Sequence, residues 1–411
     1  MKLKNALFLI CLLCVSCAWA QEKRVITGKV TDKISGEVLP SVNVFLANTS
    51  IGASTGADGS FRLQNIPEGK YDLIASSVGY KPYFLPVDLS NTGNGFTQEI
   101  KLNIQLEAEV KELSEITVKA DTTNWTRNYN DFVRLFLGET RLSKNCKISN
   151  PKVLHFYMDT RDQVLVAHSK KPLEIINSTR GYKITYYLYQ FEYNLRSGTL
   201  MIFGVPLFEE LPTTKERIVK KRQQERKKAY EGSVVHFMRS LHRNQLKENG
   251  FEMRKMFLVK NRKRLPDEVI NRNIRRLSGS GKQIVINLSS SPTDSLSYYF
   301  RMRSEPKEVD SIAAPLLSGQ EYWNPNTQLF EGIQGRFHII FDANEEIEYL
   351  RVARRTQIAK QQSQFNFIHP TLKVYPNGYY EDVRTLFLFG YLSWHEKIAT
   401  LLPSDYEPPI D

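Results

Sequence analysis

Cysteine is scarce in this chain of 411 residues: there are four, and Cys11, Cys14 and Cys17 crowd the amino terminus. Only Cys146 lies beyond them, so the rest of the chain can form no intramolecular disulfide and must be held by its apolar cores. Long apolar runs are equally scarce. Residues 6–17 (ALFLICLLCVSC) form one, but it is shorter than the ~20 residues a spanning helix needs. No later stretch is long and apolar enough to cross a bilayer as a helix. Catalytic motifs are missing too. There is no Gly-x-Ser-x-Gly elbow. Residues 279–282 (GSGK) lack both the preceding glycine spacing of a phosphate loop and the hydroxyl residue after the lysine.

What the amino terminus does have is Lys2 and Lys4, the short apolar run, and the small-residue pattern Ala18-Trp19-Ala20. This is the layout of a secretory signal peptide over 1–20, cleaved after Ala20. Lipidation at Cys17 is the alternative. Both predict export, to the periplasm or the periplasmic face of the outer membrane.

Charge is unevenly placed. Residues 21–120 hold 10 basic and 12 acidic side chains, while 215–282 hold 21 basic and 7 acidic. One segment therefore carries the positive excess of the whole chain. It is predicted helical: Ser233 caps a helix bearing Val234, Phe237, Met238 and Leu241, with Gly250 as its stop, and a further helix starts at Asp267.

Residues 24–105 read as short strands (25–30, 42–46, 61–63, 71–77, 83–87 and 100–106) separated by turn chemistry such as Ser35-Gly36, Asp58-Gly59 and Pro67-Glu68-Gly69. Phe61 and Leu63 alternate with Arg62 and Gln64, as a half-buried strand requires. Residues 107–124 read as a linker with a short strand at 115–119. Trp125, Tyr129, Phe132, Val133 and Phe136 then line one face of a helix that Gly138 stops. Beyond it, strands are expected at 153–157, 164–167, 183–192, 199–205, 284–288, 298–303, 336–341, 348–353 and 385–391. Asn377-Gly378 predicts a type I′ hairpin.

The amino-terminal pattern carries a resemblance. Residues 27–32 (TGKVTD), 36–45 (GEVLPSVNVF), 54–61 (STGADGSF), 66–71 (IPEGKY) and 78–80 (VGY) together closely resemble the carboxypeptidase regulatory-like domain. That family is a transthyretin-like, seven-stranded β-sandwich. The resemblance implies a sandwich over 21–106 with Phe61, Tyr71 and Tyr80 in its core. It departs from the family at 57–59 (ADG), which has no second acid, and a calcium-ligand role for Asp58 stands beside its role as a turn residue. The family often opens outer-membrane receptors, and 113–119 (LSEITVK) resembles the segment leading to a receptor plug. About 290 residues come after it, too few for a plug and a barrel of ~22 strands.

The fold class expected is thus an all-β amino-terminal seven-stranded sandwich followed by a larger, β-rich α+β region at 125–411. The latter resembles the uncharacterised regions that come after this domain in other exported proteins.

The family name invites a zinc peptidase, but none of the seven histidines opens a His-x-x-Glu pair. His395-Glu396 has Ala399 where a second ligand would stand, and His395 reads as a surface residue at a strand end. No metal, cofactor or catalytic residue is assigned. Cys146 reads as a buried apolar residue, with a reactive thiol as the alternative. His236 and Ser240 sit one helical turn apart. A hydrolase with a site near Cys146, His155 or His236 is the alternative to a non-catalytic binding or scaffolding protein. A third reading sets Tyr182–Tyr193 against lipid.

The candidate anion-binding residues are Lys220, Lys221, Arg222, Arg226, Lys227, Lys228, Arg262, Lys263 and Arg264. The bland alternative is a solvated helix pair with Glu216 and Glu225 balancing local charge. In an exported protein their partners would be envelope proteins, anionic lipid or glycan, and not nucleic acid.

Overall fold

Asp58 and Gly59 set the tight turn by which the chain of the amino-terminal unit passes from one sheet to the other. In the computed structural model, which describes residues 24–90, 99–109, 124–278, 295–381 and 383–409, Gly59 has φ +74°. A Cβ there would lie 2.8 Å from the Val30 carbonyl, so only glycine fits. The Asp58 carboxylate accepts from the Ser60 amide at 3.0 Å and its hydroxyl at 2.7 Å. It acts there as a turn residue.

Such turns separate seven strands: β1 (Arg24–Asp32), β2 (Asn43–Leu46), β3 (Gly52–Ser54), β4 (Ser60–Ile66), β5 (Lys70–Ser76), β6 (Tyr83–Asp88) and β7 (Glu99–Leu106). They form two sheets, in the orders β4-β1-β7 and β3-β2-β5-β6. The sandwich is the one expected. β1 is antiparallel to β4 and parallel to β7. Ile26, Val44, Phe61, Leu63, Tyr71 and Ile104 fill the space between the sheets. Phe61 and Leu63 turn inward while Arg62 and Gln64 face solvent. Tyr80 stays half-buried at the rim.

Helix α1 (Trp125–Leu137) has the predicted ends, closed by Gly138 at φ +101°. Its apolar face covers a six-stranded sheet: β8 (Cys146–Ile148), β9 (Leu154–Asp159), β10 (Val164–Ser169), β11 (Leu173–Asn177), β12 (Tyr182–Asn194) and β13 (Leu200–Glu210). Phe132 meets Phe156 and Phe191 with ring centroids 5.8 and 4.7 Å apart, and such contacts add about 1 kcal/mol each beyond their buried area. β12 is the spine. It pairs with β11 along its first part, with β10 at its end, and with β13 throughout. Tyr182, Tyr186 and Phe191 lie in the core under α1, and Tyr187 packs on the sandwich. The lipid-facing reading of this strand is therefore wrong: both of its faces are used by protein.

The remainder builds a second layer. Helices α2 (Glu216–Tyr230) and α3 (Val234–His242) precede β14 (Phe251–Lys260). Next come α4 (Asp267–Ser278), α5 (Ser295–Ser304), β15 (Glu308–Ile312), β16 (Trp323–Asn324), β17 (Leu329–Glu331) and β18 (Gly335–Asn344). The chain ends through α6 (Tyr349–Ala353), β19 (Lys360–Phe367), β20 (Thr371–Leu372), β21 (Leu386–Gly390) and α7 (Tyr391–His395). A five-stranded sheet, β15-β14-β18-β19-β21, stacks on α3 through Phe237, Met238, Leu241, Phe251, Phe337 and Phe365. Ser233 caps α3 by accepting from the His236 amide at 3.1 Å.

Five expectations change here. The basic segment 215–282 is not helical throughout, because β14 crosses it. α3 ends at His242, well before Gly250, which ends the turn that leads into β14 instead. Residues 298–303 lie in helix α5, and 348–353 lie in α6 and the residue before it. The aromatic run Tyr298–Phe300 is β-prone, but its segment packs on α4 and pairs with no strand among the described residues. The Asn377-Gly378 hairpin exists, with Tyr375 N–H bonded to the Tyr379 carbonyl at 2.8 Å. Its turn is not type I′: Gly378 has φ +82°, whereas Asn377 is outside the left-handed region. Pro376 starts a tight turn there, and Gly378 closes a three-residue loop. The expected strands at 115–119 and 284–288, and the signal peptide, lie outside the described residues.

Candidate functional site

The sandwich is docked on the six-stranded sheet. Phe45 of β2 stacks on Tyr187 of β12 with centroids 5.4 Å apart, and Ala47, Ile74, Val205 and Leu207 close around them. The Asn48 amide donates to the Pro206 carbonyl at 2.9 Å, and the Phe208 amide to the Thr49 carbonyl at 3.0 Å. The β13 edge is therefore capped by a loop of the sandwich.

The carboxy-terminal tail enters the same junction. The Ser404 amide donates to the Asn48 carbonyl at 2.6 Å, and Asp405 accepts from the Ser50 amide at 2.9 Å and from its hydroxyl. Arg239 on α3, 1% exposed, holds the tail from the other side. Its guanidinium donates to the carbonyls of Asn377 (3.1 Å), Tyr406 (3.0 Å) and Ser404 (2.7 Å), and lies 3.3 Å from the Glu407 carboxylate. Three fixed carbonyls and one carboxylate satisfy this buried charge. Arg180 plays a similar part upstream by bonding the Ala399 carbonyl, which Asn177 also reaches at 3.0 Å. Burial pushes the Arg180 guanidinium down to about 10. Sequence reasoning missed both arginines. The one signal for Arg239 was a charged residue inside the otherwise apolar run 234–241.

The predicted basic residues separate into two kinds. Lys220, Lys221, Lys228, Arg262 and Lys263 are exposed, and Lys227 is half-buried. Lys228 pairs with Glu225 at 3.3 Å. Arg222, Arg226 and Arg264 are structural. Arg222 donates to the Leu211 carbonyl at 2.6 Å. Arg226 lies 4.1 Å from the centre of the Tyr182 ring, with Nε on the Arg180 carbonyl at 2.8 Å and Nη1 on Glu210 at 2.6 Å. Arg264 reaches the Glu305 carbonyl at 2.8 Å and Asp267 at 2.5 Å. The nine belong to two places: α2 lies against β12, while 262–264 joins β14 to α4.

The catalytic alternatives do not converge. The Ser240 hydroxyl donates to the His236 carbonyl at 2.7 Å, not to its ring. The ring nitrogen Nδ1 accepts from the Gly232 amide at 3.1 Å, among Tyr230, Phe251 and Phe341. Burial lowers its pKa to about 4. Cys146 is buried in the core under α1, and burial pushes its thiol up to about 12, far from a reactive thiolate. His155 stacks on His168 across the β9–β10 pair, 5.7 Å between centroids. His395 is not on the surface at a strand end. It is buried in α7, stacked on Tyr391, with Nε2 3.5 Å from Glu346. Its neighbour Glu396 accepts from the Val234 amide at 2.8 Å.

Among the described residues no cluster of metal-ligand side chains occurs, and no helix is long and apolar enough to cross a membrane. A cleft of about 350 Å³ opens between the end of α1 and α6, lined by Glu139, Lys144, Arg351 and Trp394 among others. Arg134 and Arg351 each approach Glu139 at 3.9 Å, so its charge is already matched.

Comparison with known proteins finds a relative and a family match over the amino-terminal part of the chain. A TonB-dependent receptor, P3, of Formosa agariphila is 31% identical over 123 residues. That match covers 28% of this chain and 11% of the receptor, so the chain spans about a ninth of the curated relative it matches. Among solved structures, the pilus 2b backbone protein of group B streptococcus has 19% identity and a TM-score of 0.17, over 20% of this chain and 40% of the other. Catechol 1,2-dioxygenase of Acinetobacter sp. ADP1 has 11% identity and a TM-score of 0.18, over 23% and 55%. The family model described as the CarboxypepD_reg-like domain matches residues 26–118, and the sandwich unit of this chain is a domain of that type.

Proposed function

We propose that this is an exported, envelope-associated scaffolding or binding protein without catalytic activity. It would work in the periplasm or at the periplasmic face of the outer membrane. The observation that carries the reading is the CarboxypepD_reg-like domain at 26–118, a domain type shared with an envelope receptor. The junction supports a scaffolding role. One face of the sandwich covers β12 and β13, and the tail straps both units, so the domain is a fixed part of a larger body. The organisation proposed is a signal segment at 1–20, the sandwich at 21–106, a linker at 107–124 and one assembly from 125 onward. The cations Lys220, Lys221, Lys227, Lys228, Arg262 and Lys263 are proposed to meet envelope proteins, anionic lipid or glycan.

Cell fractionation of the tagged full-length protein tests this reading. Recovery in the envelope or periplasmic fraction is expected, and recovery in the cytosol would overturn it. A high-salt wash then separates the modes of attachment. Release points to ionic contact through the cations, and retention points to lipidation at Cys17.

A further inference from the structure

One part of the molecule stands apart from the hydrophobic cores. The first half of β14 lies beside β18 in the five-stranded sheet, but among the described residues Met256–Lys260 pairs with β15 alone. Met256 at its base is buried, and beyond it both faces of this two-stranded ribbon carry exposed apolar side chains. Phe257, Val259 and Val309 on one face are 52, 41 and 36% exposed, and Leu258 and Ile312 on the other are 56 and 45% exposed. An ordinary sheet strand hides at least one face against a core. Contiguous exposed apolar side chains of this kind mark a contact surface.

The same element carries cations. Beyond the ribbon come Arg262 and Lys263, then α4 and α5, which pack on each other. Arg272, Arg275 and Arg276 on α4, and Arg301 and Arg303 on α5, are exposed. None of them has an acidic partner among the described residues. Of the nearby acids, Asp267 is taken by Arg264 and Lys307, and Asp310 by Arg336 at 2.6 Å, while the exposed Glu268, Glu305 and Glu308 are outnumbered by the cations of the arm. The neck is rigid: the Asn261 amide donates to the Lys307 carbonyl at 2.8 Å and its side chain to the Pro306 carbonyl at 3.0 Å. Ribbon and helix pair therefore form one basic arm.

Protein partners and lipids make different demands on such an arm. A rigid partner covers one face of a strand pair and leaves the other wet. A fluid acyl layer covers both. Arginine and lysine stems lie along apolar material while their heads sit at phosphate level. We infer that this arm docks on an anionic lipid surface. The ribbon residues Phe257, Leu258, Val259 and Ile312 enter the acyl region, and the cations of the loop, α4 and α5 sit on the headgroup phosphates. The inference rests on the envelope reading above and names the contact.

The full chain is mixed with vesicles of phosphatidylcholine alone, or of phosphatidylcholine with phosphatidylglycerol, and sedimented. Binding to the anionic vesicles is expected to be tighter by about tenfold or more, and to weaken with salt. The double variant F257S/L258S keeps every charge and should lose about tenfold in binding. Both side chains are exposed and belong to none of the cores, so the fold should survive, and circular dichroism checks it. R272E/R275E/R276E should lose binding and most of the salt dependence. Absence of wild-type binding to anionic vesicles overturns the inference, as does a double variant that binds like wild type. So does equal binding to poly-glutamate, which would make the partner an acidic polypeptide, or a dimer that F257S/L258S dissociates and that ignores vesicles. Envelope recovery without vesicle binding removes this inference alone. Cytosolic recovery removes the envelope reading, whatever the vesicles show.

Discussion

The Asn377 side chain donates to the backbone carbonyl of Lys70 at 2.9 Å, joining the 373–381 hairpin to the turn before β5, 307 residues away in the chain. Around this bond, Lys70 pairs with Glu381 at 2.8 Å, and the Tyr375 hydroxyl donates to the same carboxylate at 2.6 Å. The hairpin 373–381 is therefore a plug in the turn between β4 and β5. It fixes the angle between the sandwich and the rest of the molecule.

Gly69 is where this plug leaves no room. It has φ +148°, and a Cβ would sit 2.3 Å from the Asn377 side chain. Gly69→Ala should destabilise the protein by about 1–3 kcal/mol through backbone strain and overpacking. Thermal unfolding measures the loss. Pairing it with Asn377→Ala, which removes the clashing atoms, should recover part of it, and an additive pair of losses would refute the contact.

Arg239 should behave as the lock of the carboxy-terminal tail. Arg239→Met keeps the stem but removes the donors to Asn377, Ser404 and Tyr406. The cost expected is about 2–4 kcal/mol, from charge-assisted bonds lost and carbonyls left unmatched. Limited proteolysis should cut the tail after residue 400 in the variant well before it cuts wild type. Equal cleavage rates would show that the tail is held elsewhere.

His236 sets an acid-side weakness. Its folded pKa, about 4, lies below the ordinary histidine value because burial disfavours the imidazolium, with Arg239 and Arg243 adding repulsion. The unfolded chain then binds the proton more readily. The contribution is fully present above the ordinary value near 6.5 and is lost as pH falls from there towards 4, by up to about 3 kcal/mol. In His236→Gln the decline in melting temperature over that window should be shallower than in wild type. Parallel curves for the two proteins would discount the effect.

Much of the sandwich was legible from local chemistry. Asp58-Gly59 needs a positive φ and a short acceptor whatever surrounds it, and Phe61 and Leu63 alternate with polar neighbours at the period of a strand. Helix α1 was legible for the same reason, since its apolar stripe and its glycine stop are both local. The run Tyr298–Phe300 misled because β-propensity measures fit to a half-buried sheet, and this segment has α4 beside it. The candidate cations were found as charges, but not sorted. Arg222, Arg226 and Arg264 bond carbonyls contributed by residues distant in the sequence or by other elements, and no spacing along the chain reveals that.

Residue order along the chain was enough to set the amino-terminal sandwich, its turns, the helix after it, and the concentration of positive charge beyond residue 215. The turns and the helix depend on residues within a turn or two of one another, and the sandwich was carried by the order of several spaced motifs. Folding in three dimensions set the rest: β12 is covered on both faces, Arg239 holds the tail, Asn377 plugs the Gly69 turn, and the β14–β15 ribbon is left bare. These are contacts between segments far apart in the chain, or the lack of them. They depend on which surfaces the folded chain brings together, which local propensity does not encode.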